Sequence, residues 1–162
     1  MTKTADKIFD IDTADELFAM LRERFDQYCY DPEKSTEDAI FIVLIANHLR
    51  EWIAPGYGPK GKKWPVAKTE AQKFSQRVYS DKNFEVVRAI ANGTKHLRTG
   101  PKTSVSYTGH SGHQPEQDVA IIGHIAGRPI LKGIPEGHYA DGTNLKDIIA
   151  PVVALYREWF EP

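Results

Sequence analysis

The sequence is poor in cysteine and in long apolar runs, and both absences exclude classes of protein. Cys29 is the only cysteine among 162 residues, so an internal disulfide framework is excluded and a reducing compartment is expected. The longest fully apolar run, AIFIVLIA at 39–46, is far too short to span a membrane. The opening residues MTKTADKIFDIDTADE are polar and acidic, whereas a secretory signal begins with basic residues and an apolar segment. We therefore expect a cytoplasmic protein that is not embedded in a membrane.

Motifs for metal, nucleotide and serine-hydrolase chemistry are also missing. His110 and His113 in GHSGH have no CxxC or HExxH partner, and two histidines alone do not complete a zinc site. The loop GYGPKGKK satisfies most of a phosphate-binding GxxxxGK motif, but Lys63 stands where a Ser or Thr would hold magnesium. No GxSxG elbow occurs. The sequence therefore predicts no metal site and no cofactor.

Net charge is small, but the charges are unevenly distributed. The formal net charge is −1, of which residues 1–59 carry −6, residues 60–102 carry +8 and residues 103–162 carry −3. The basic block consists of Lys60, Lys62, Lys63, Lys68, Lys73, Arg77, Lys82, Arg88, Lys95, Arg98 and Lys102. Such a block attracts anionic partners such as nucleic acid. The alternative interpretation is that it faces the acidic N-terminal helix, or the same helix of another subunit.

The apolar pattern divides a single globular domain into four parts. Helical spacing covers about 13–99, and a polar, Gly-rich loop or irregular strand follows at about 100–117. Short β-type runs separated by turn residues occupy about 118–141, and helical spacing returns at about 144–160. The predicted fold class is α+β: a mainly helical bundle of four to five helices with a small antiparallel β-meander before the C-terminal helix.

Four helices are predicted in the front part of the chain. The first begins at Thr13, whose capping box includes Glu16, and ends near residue 28. The second spans about 36–54 after an N-cap at Ser35 or Thr36, and it is apolar nearly all round, which predicts the most buried helix. The third spans about 69–79, and the fourth begins near residue 83. In the C-terminal helix, Pro151 either introduces a kink or marks the true start.

The loop after the second helix combines cations with an aromatic side chain. Lys60, Lys62 and Lys63 directly precede Trp64, apart from one glycine within the run. Lysines contact phosphates without sequence preference, and aromatic rings stack on bases. These four residues are the predicted nucleic-acid contacts.

The stretch VVRAIANGTKHLRTG at 86–100 contains the main candidate site. If the fourth helix continues through Asn92 and Gly93, then Arg88, Asn92 and His96 lie one turn apart in a single row. Arginine is a permanent fork-shaped donor, and histidine exchanges a proton near neutral pH, so the row suits binding or chemistry on an anion. Two alternatives stay open: the row is a solvated helix face, or Gly93 caps the helix and His96 leaves the row.

On the second helix, His48 and Trp52 lie one turn apart beside apolar residues. One interpretation is that His48 is a core histidine satisfied by one hydrogen bond. The other is that it helps to line a polar site between helices. The predicted ligand-binding residues of that site are His48, Trp52, Asn92, Lys95 and His96.

The segments NHLREW and ANGTKHL, together with YADG and the final REWF, resemble a set of uncharacterised proteins of this size encoded by phages and other mobile elements. The likeness extends over most of the chain from about residue 35. That set is itself similar to the HEPN helical-bundle superfamily, whose nuclease members cut RNA without metal and generally act as dimers. The resemblance implies a homodimer, with Arg88 as the phosphate-binding arginine and His96 as the acid/base. In those nucleases the two residues are four to six apart on one helix, whereas seven residues separate them here.

Two functions follow from these observations. The first is a non-catalytic binding or interaction protein of a mobile genetic element, which self-associates and binds RNA or another anionic ligand. The second is a HEPN-like ribonuclease, in which the basic block guides RNA to Arg88 and His96 and the reaction releases a 2′,3′-cyclic phosphate. The sequence favours the first and leaves open whether the protein is an enzyme.

Overall fold

A computed structural model describes residues 10–58, 63–96, 107–109, 137–140 and 143–162. In these ranges the elements are α1 (Ala14–Tyr30), α2 (Thr36–Ile53), α3 (Glu70–Tyr79), α4 (Lys82–His96), β1 (Tyr107–Gly109), β2 (His138–Ala140), β3 (Thr143–Asn144) and α5 (Leu145–Phe160). The architecture is mainly helical with a small antiparallel sheet before the C-terminal helix, which confirms the predicted fold class. Within these ranges, none of the helices combines the length and the hydropathy that a membrane span requires.

The first three helices begin at capping residues. Thr13 accepts a hydrogen bond from the backbone N–H of Glu16, whose carboxylate accepts from the N–H of Thr13 at 3.0 Å, and this confirms the predicted capping box. Ser35 is the N-cap of α2, and Thr69 forms a second capping box with Gln72 at α3. Each cap satisfies N–H groups that have no partner within the helix, so the local sequence determines these boundaries.

α2 is the central helix, as its composition predicts. It packs against α1, α3, α4 and α5. Its fully buried side chains are Ala39, Ile42, Val43, Ala46 and Leu49. Full burial of each Val, Leu or Ile contributes about 1.5–3 kcal/mol, so this helix supplies a large share of the hydrophobic stabilisation of the bundle.

α5 closes the bundle over α2. Tyr156 is fully buried, and its hydroxyl donates to the carbonyl oxygen of Ala46 at 2.8 Å. Near the end of α5, Phe160 stacks on Phe18 of α1 with 4.6 Å between the ring centroids. Pro151 lies inside the helix and not at its start, so the alternative that it marks the start is wrong.

The three strands form one antiparallel sheet in the order β1-β2-β3. Tyr107 pairs with Ala140, which pairs with Thr143 on its other side. β1 lies in the segment 100–117, for which the sequence left a loop or an irregular strand open. Most of the predicted meander, residues 118–136, lies outside the described residues. α5 follows β3 directly and contacts both β2 and β3, so the sheet is joined to the bundle through this helix.

Candidate anion-binding site

Arg50 is a buried arginine at the junction of α2 and α3. Only 7% of its surface is exposed. Its Nη1 donates to the hydroxyl oxygen of Ser75 at 3.0 Å, and its Nη2 is 3.7 Å from a carboxylate oxygen of Glu51. A buried guanidinium requires such partners, because an unpaired buried charge strongly destabilises the folded state. Arg50 is therefore a fixed part of this junction.

Tyr79, one helix turn after Ser75, contacts a second arginine. The Cζ atom of Arg88 in α4 lies over the Tyr79 ring, 4.2 Å from its centroid, and the Cζ atom of Arg50 lies 5.3 Å from the same centroid. Both distances are within the range of cation–π attraction. One aromatic ring of α3 thus brings together arginines of α2 and α4. We call Arg50, Tyr79, Arg88 and the neighbouring Trp64 the arginine–aromatic cluster.

The segment between α2 and α3 contributes aromatic rings to this cluster. Trp64 meets the Tyr79 ring edge to face, with 4.4 Å between the centroids and 74° between the planes. Tyr57 lies 5.4 Å from Trp64 on the same segment, and its hydroxyl donates to the carbonyl oxygen of Pro65 at 3.0 Å. The guanidinium of Arg50 also lies over Trp64, at 5.9 Å. These contacts hold the segment against the helices.

The positive charge of the cluster is only partly compensated. Glu51 pairs with Arg50, but 56% of its side chain is exposed, so water screens the interaction. Arg88 has no hydrogen bond and no ion pair with any residue of the described ranges; its guanidinium contacts the Tyr79 ring. The N–H donors of its guanidinium are therefore available to an oxyanion, which an arginine binds with two parallel hydrogen bonds.

The other described cations of the basic block are either paired or exposed. Lys73 pairs with Glu70 at 2.7 Å, and Arg77 pairs with Glu158 of α5 at 2.8 Å. The exposed cations of the block without an ion pair in the described ranges are Lys63, Lys68 and Lys82. No ion pair between two described residues joins the block to α1. The interpretation that the block faces the acidic N-terminal helix therefore gains no support.

α4 continues through Asn92 and Gly93 to His96. The interpretation of Gly93 as a helix cap is therefore wrong, and Arg88, Asn92 and His96 occupy one row of the helix. Asn92 is exposed in this row. The side chains of Lys95 and His96 lie outside the described residues.

His48 and Trp52 lie on the exposed side of α2. The side chain of His48 is 48% exposed, with its Nδ1 3.8 Å from Glu51, and Trp52 is 42% exposed. The interpretation of His48 as a core histidine is therefore wrong. No hydrogen bond or ion pair in the described part of the chain joins His48 or Trp52 to Asn92. Their grouping in one polar site stays a prediction.

The predicted nucleic-acid contacts are only partly described. Lys63 is exposed, and Trp64 is half-buried in the arginine–aromatic cluster. Lys60 and Lys62 lie outside the described residues. Trp64 contacts the rings of Tyr57 and Tyr79 and the guanidinium of Arg50, so its observed role is packing.

A second buried polar cluster joins β2 to the ends of α1 and α2. The ring of His138, 3% exposed, places Nδ1 3.0 Å from the Tyr28 hydroxyl and Nε2 3.2 Å from the Thr36 hydroxyl. Buried Lys34 donates to three backbone carbonyl oxygens at the end of α1, which satisfies acceptors that have no partner within the helix. Burial raises the pKa of the Tyr28 hydroxyl, so it stays protonated at neutral pH. The cluster is a structural element.

Neither Arg50 nor Tyr79 is among the site residues that the sequence predicts. Arg50 follows Ala39, Val43 and Ala46 at helical spacing on the buried side of α2. A charged residue in such a row is a signal for a buried guanidinium with a partner. Tyr79 carries no comparable signal, because its importance comes from two arginines on other helices.

Among the described residues, no group of three or more His, Cys, Asp or Glu side chains is placed to hold a metal ion. His110 and His113, the loop pair considered above, lie outside the described ranges. Comparison with known proteins gives no match: no protein-family model, no curated protein and no solved structure is similar to the chain.

Proposed function

We propose that the protein is a non-catalytic binding protein of a mobile genetic element, that it acts in the cytoplasm, and that its ligand is a phosphate-bearing anion such as single-stranded RNA. The observation that carries the proposal is Arg88, whose guanidinium lies 4.2 Å from the Tyr79 ring centroid and has no ionic partner within the described ranges. A guanidinium so placed offers a pair of donors to a phosphate. Exposed Lys63 and Lys82 add positive charge in the neighbouring segments.

The charge of the cluster favours a singly charged phosphodiester. Arg50 and Arg88 carry two positive charges, and in the described part of the chain Glu51 pairs with Arg50 alone. One excess positive charge matches one phosphodiester group. Exposed lysines extend the attraction to further phosphates of a strand, and such contacts make affinity depend on salt.

Binding of a fluorescently labelled oligouridylate at low salt tests the proposal. We expect Arg88→Ala to weaken binding about tenfold or more, because a hydrogen bond to a charged group contributes ~1.5–3 kcal/mol. Arg77→Ala is the matched control, since Arg77 also belongs to the basic block and contacts an aromatic ring, but its guanidinium is already paired with Glu158. Its replacement should change the affinity by about twofold or less.

Competition with inorganic pyrophosphate shows whether the site binds any phosphate group or requires the phosphates of a nucleic-acid strand. Displacement of the oligouridylate by pyrophosphate would identify a site for phosphate groups in general, whereas binding that resists pyrophosphate would identify a site for the strand. Absence of binding by the wild-type protein, or equal weakening by Arg88→Ala and Arg77→Ala, would contradict the proposal.

The continuation of α4 through Gly93 favours the HEPN-like ribonuclease as a second candidate. Arg88 and His96 remain in one row, although they are eight positions apart, or about 12 Å along the axis. In this reaction the 2′-hydroxyl attacks the phosphorus and His96 takes the hydroxyl proton. The bond from phosphorus to the 5′-oxygen of the next nucleotide breaks, that oxygen takes a proton from water, and a 2′,3′-cyclic phosphate is left.

Incubation of the purified protein with structured and single-stranded RNA, with and without a chelator, distinguishes the two candidates. Cleavage that Arg88→Ala abolishes would establish the ribonuclease. Intact RNA, under conditions in which the protein binds it, would exclude the ribonuclease and leave the binding function.

We also propose that the protein self-associates as a dimer. α2 presents Phe41 and Trp52, which are 39% and 42% exposed and lie three turns apart on one side of the helix. A second copy would cover this apolar area. Light scattering over a range of concentrations tests the proposal, and we expect Trp52→Ala to shift the equilibrium toward monomer. Tyr30→Ala is the control, because Tyr30 is 86% exposed on another helix; a monomer mass at every concentration would refute self-association.

A further inference from the structure

Tyr79 contacts both arginines of the cluster, although only one of them is accessible to a ligand. Arg50 is 7% exposed, and its donors face Ser75 and Glu51. Arg88 is half-buried and has no such partner in the described part of the chain. A ligand can therefore contact Arg88, whereas Arg50 is buried and its donors are occupied by the protein.

The ring of Tyr79 restricts the side chain of Arg88. A free arginine side chain has many rotamers, and their loss opposes binding. Contact of the guanidinium with the ring at 4.2 Å removes part of this freedom before a ligand arrives. Because Arg88 is already ordered in the free protein, binding of a ligand costs less side-chain entropy. The ring attracts the cation without accepting its N–H groups in conventional hydrogen bonds, so these donors stay available to a phosphate.

Tyr79 is itself held by neighbours from two other segments. Trp64 meets its ring at 4.4 Å, and Arg50 lies 5.3 Å from its centroid. Arg50 is in turn held by the hydroxyl of Ser75 at 3.0 Å. Movement of the ring away from Arg88 would disrupt these contacts, so α2, α3 and the segment between them together determine where the ring lies.

We infer that Tyr79 is a positioning residue that orients the guanidinium of Arg88 for a phosphate oxygen, and that Arg50 and Ser75 keep Tyr79 in that position. The inference rests on the anion binding proposed above. It adds residues that act on the ligand only through Arg88.

A double-mutant cycle with the labelled oligouridylate tests this role. We expect Tyr79→Leu to weaken binding about threefold to tenfold when Arg88 is present, since the ring contact is of cation–π strength. In the Arg88→Ala background, Tyr79→Leu should change nothing further, because the residue that it positions is gone. Tyr79→Phe keeps the ring and should stay within about twofold of the wild type.

The salt dependence of binding separates a contact from a positioning role. Arg88→Ala should reduce the slope of log K against log salt by about 0.7, the value for one phosphate contact on a single strand. Tyr79→Leu should leave the slope unchanged, because the arginine and its charge remain. A lower slope for Tyr79→Leu would mean that Arg88 has lost its contact with the strand. This result would contradict the inference that Tyr79 only orients the guanidinium.

Equal weakening by Tyr79→Leu with and without Arg88 would show that the ring acts through the fold alone and would overturn the inference. Absence of binding by the wild type would instead refute the anion binding itself. Circular dichroism and urea unfolding show whether Tyr79→Leu folds. If it does not, Ser75→Ala takes its place, because it removes only the hydroxyl that holds Arg50; we expect about twofold weaker binding with Arg88 present and no effect without it.

Discussion

The hydroxyl of Tyr28 and the Nδ1 atom of His138 lie 3.0 Å apart, although 110 residues separate them in the chain. The same hydroxyl accepts from the backbone N–H of His138 at 3.2 Å. Lys34 donates to the carbonyl oxygen of Tyr28 and packs over its ring, with Nζ 5.3 Å from the centroid. Buried polar contacts therefore connect β2 to the end of α1. The stability of the fold depends on these contacts as well as on apolar packing.

Replacement of the Tyr28 hydroxyl should destabilise the protein. In Tyr28→Phe the buried N–H of His138 loses an acceptor, and we expect the free energy of unfolding to fall by about 1–3 kcal/mol. Urea unfolding measures the change. Tyr30→Phe is the control, because Tyr30 is 86% exposed and should change the stability by less than about 0.5 kcal/mol. Similar losses for both variants would show that the contact with His138 contributes nothing specific.

Gly56 and Gly137 both have positive φ, but only at Gly137 would an added side chain collide with a neighbour. Comparing their alanine variants therefore distinguishes backbone strain from steric conflict. Gly137 has φ +88°, and a Cβ atom added there would lie 2.8 Å from the Tyr28 hydroxyl oxygen. Gly56 has φ +73°, and a Cβ atom added to it would meet no other atom within 4 Å. We expect Gly56→Ala to cost about 1–2 kcal/mol from the left-handed backbone alone. Gly137→Ala should cost about 1–3 kcal/mol more, because the methyl group also displaces Tyr28. Equal losses in thermal or urea unfolding would contradict the steric part.

Two buried tyrosines should make the fold sensitive to alkaline pH. Burial raises the pKa of Tyr28 and of Tyr156, and for Tyr156 the nearby Arg50 acts in the opposite direction without cancelling the effect of burial. Tyrosines of the unfolded chain ionise near pH ~10. Above that pH the unfolded state binds fewer protons than the folded state, so the free energy of unfolding falls, by up to about 1.4 kcal/mol per pH unit for each tyrosine.

Urea unfolding at a series of pH values through the alkaline range measures this slope. The stabilising effect of the two phenols is fully present below the pKa of the unfolded tyrosine and is lost as the pH rises toward the higher pKa of the folded state. Tyr156→Phe should lower the stability at neutral pH but give a flatter decline at alkaline pH. An unchanged slope in this variant would count against Tyr156 as a source of the pH dependence.

Removal of the carboxylate beside Arg50 should strengthen anion binding. Glu51→Gln keeps the shape of the side chain and removes its negative charge 3.7 Å from the guanidinium. Because the carboxylate is exposed and screened, we expect the affinity for oligouridylate to rise only about twofold at low salt. Glu37→Gln, an exposed residue in the first turn of the same helix, is the control for net charge. Weaker binding by Glu51→Gln would contradict the assignment of the site.

Helix positions were predictable because their signals are local. The capping boxes at Thr13 and Thr69 lie within one turn of sequence, and the apolar period on both sides of Gly93 agrees with one continuous α4. β1 was ambiguous for the opposite reason. It has only three residues, and its Tyr107 finds a partner in Ala140, far along the chain, so nothing nearby in sequence determines its pairing.

The candidate site was only partly predictable. The spacing of Arg88 and Asn92 identified one row of α4, but periodicity could not tell whether His48 lies inside or outside α2. His48 is at the edge of an apolar arc, and its exposure depends on which neighbouring helix covers that edge. The meeting of Arg50 and Arg88 at one ring depends on how three helices pack, which no single stretch of sequence encodes.

The hydroxyl of Tyr156 donates to Ala46, also 110 residues away. During synthesis, α1 to α4 therefore leave the ribosome well before α5 exists to cover the inner side of α2. Until then the nascent chain exposes apolar helix faces, which are typical recognition surfaces for chaperones and typical starting points of aggregation. We expect ribosome-bound chains that end before α5 to recruit chaperones, and release from them to coincide with the emergence of this helix.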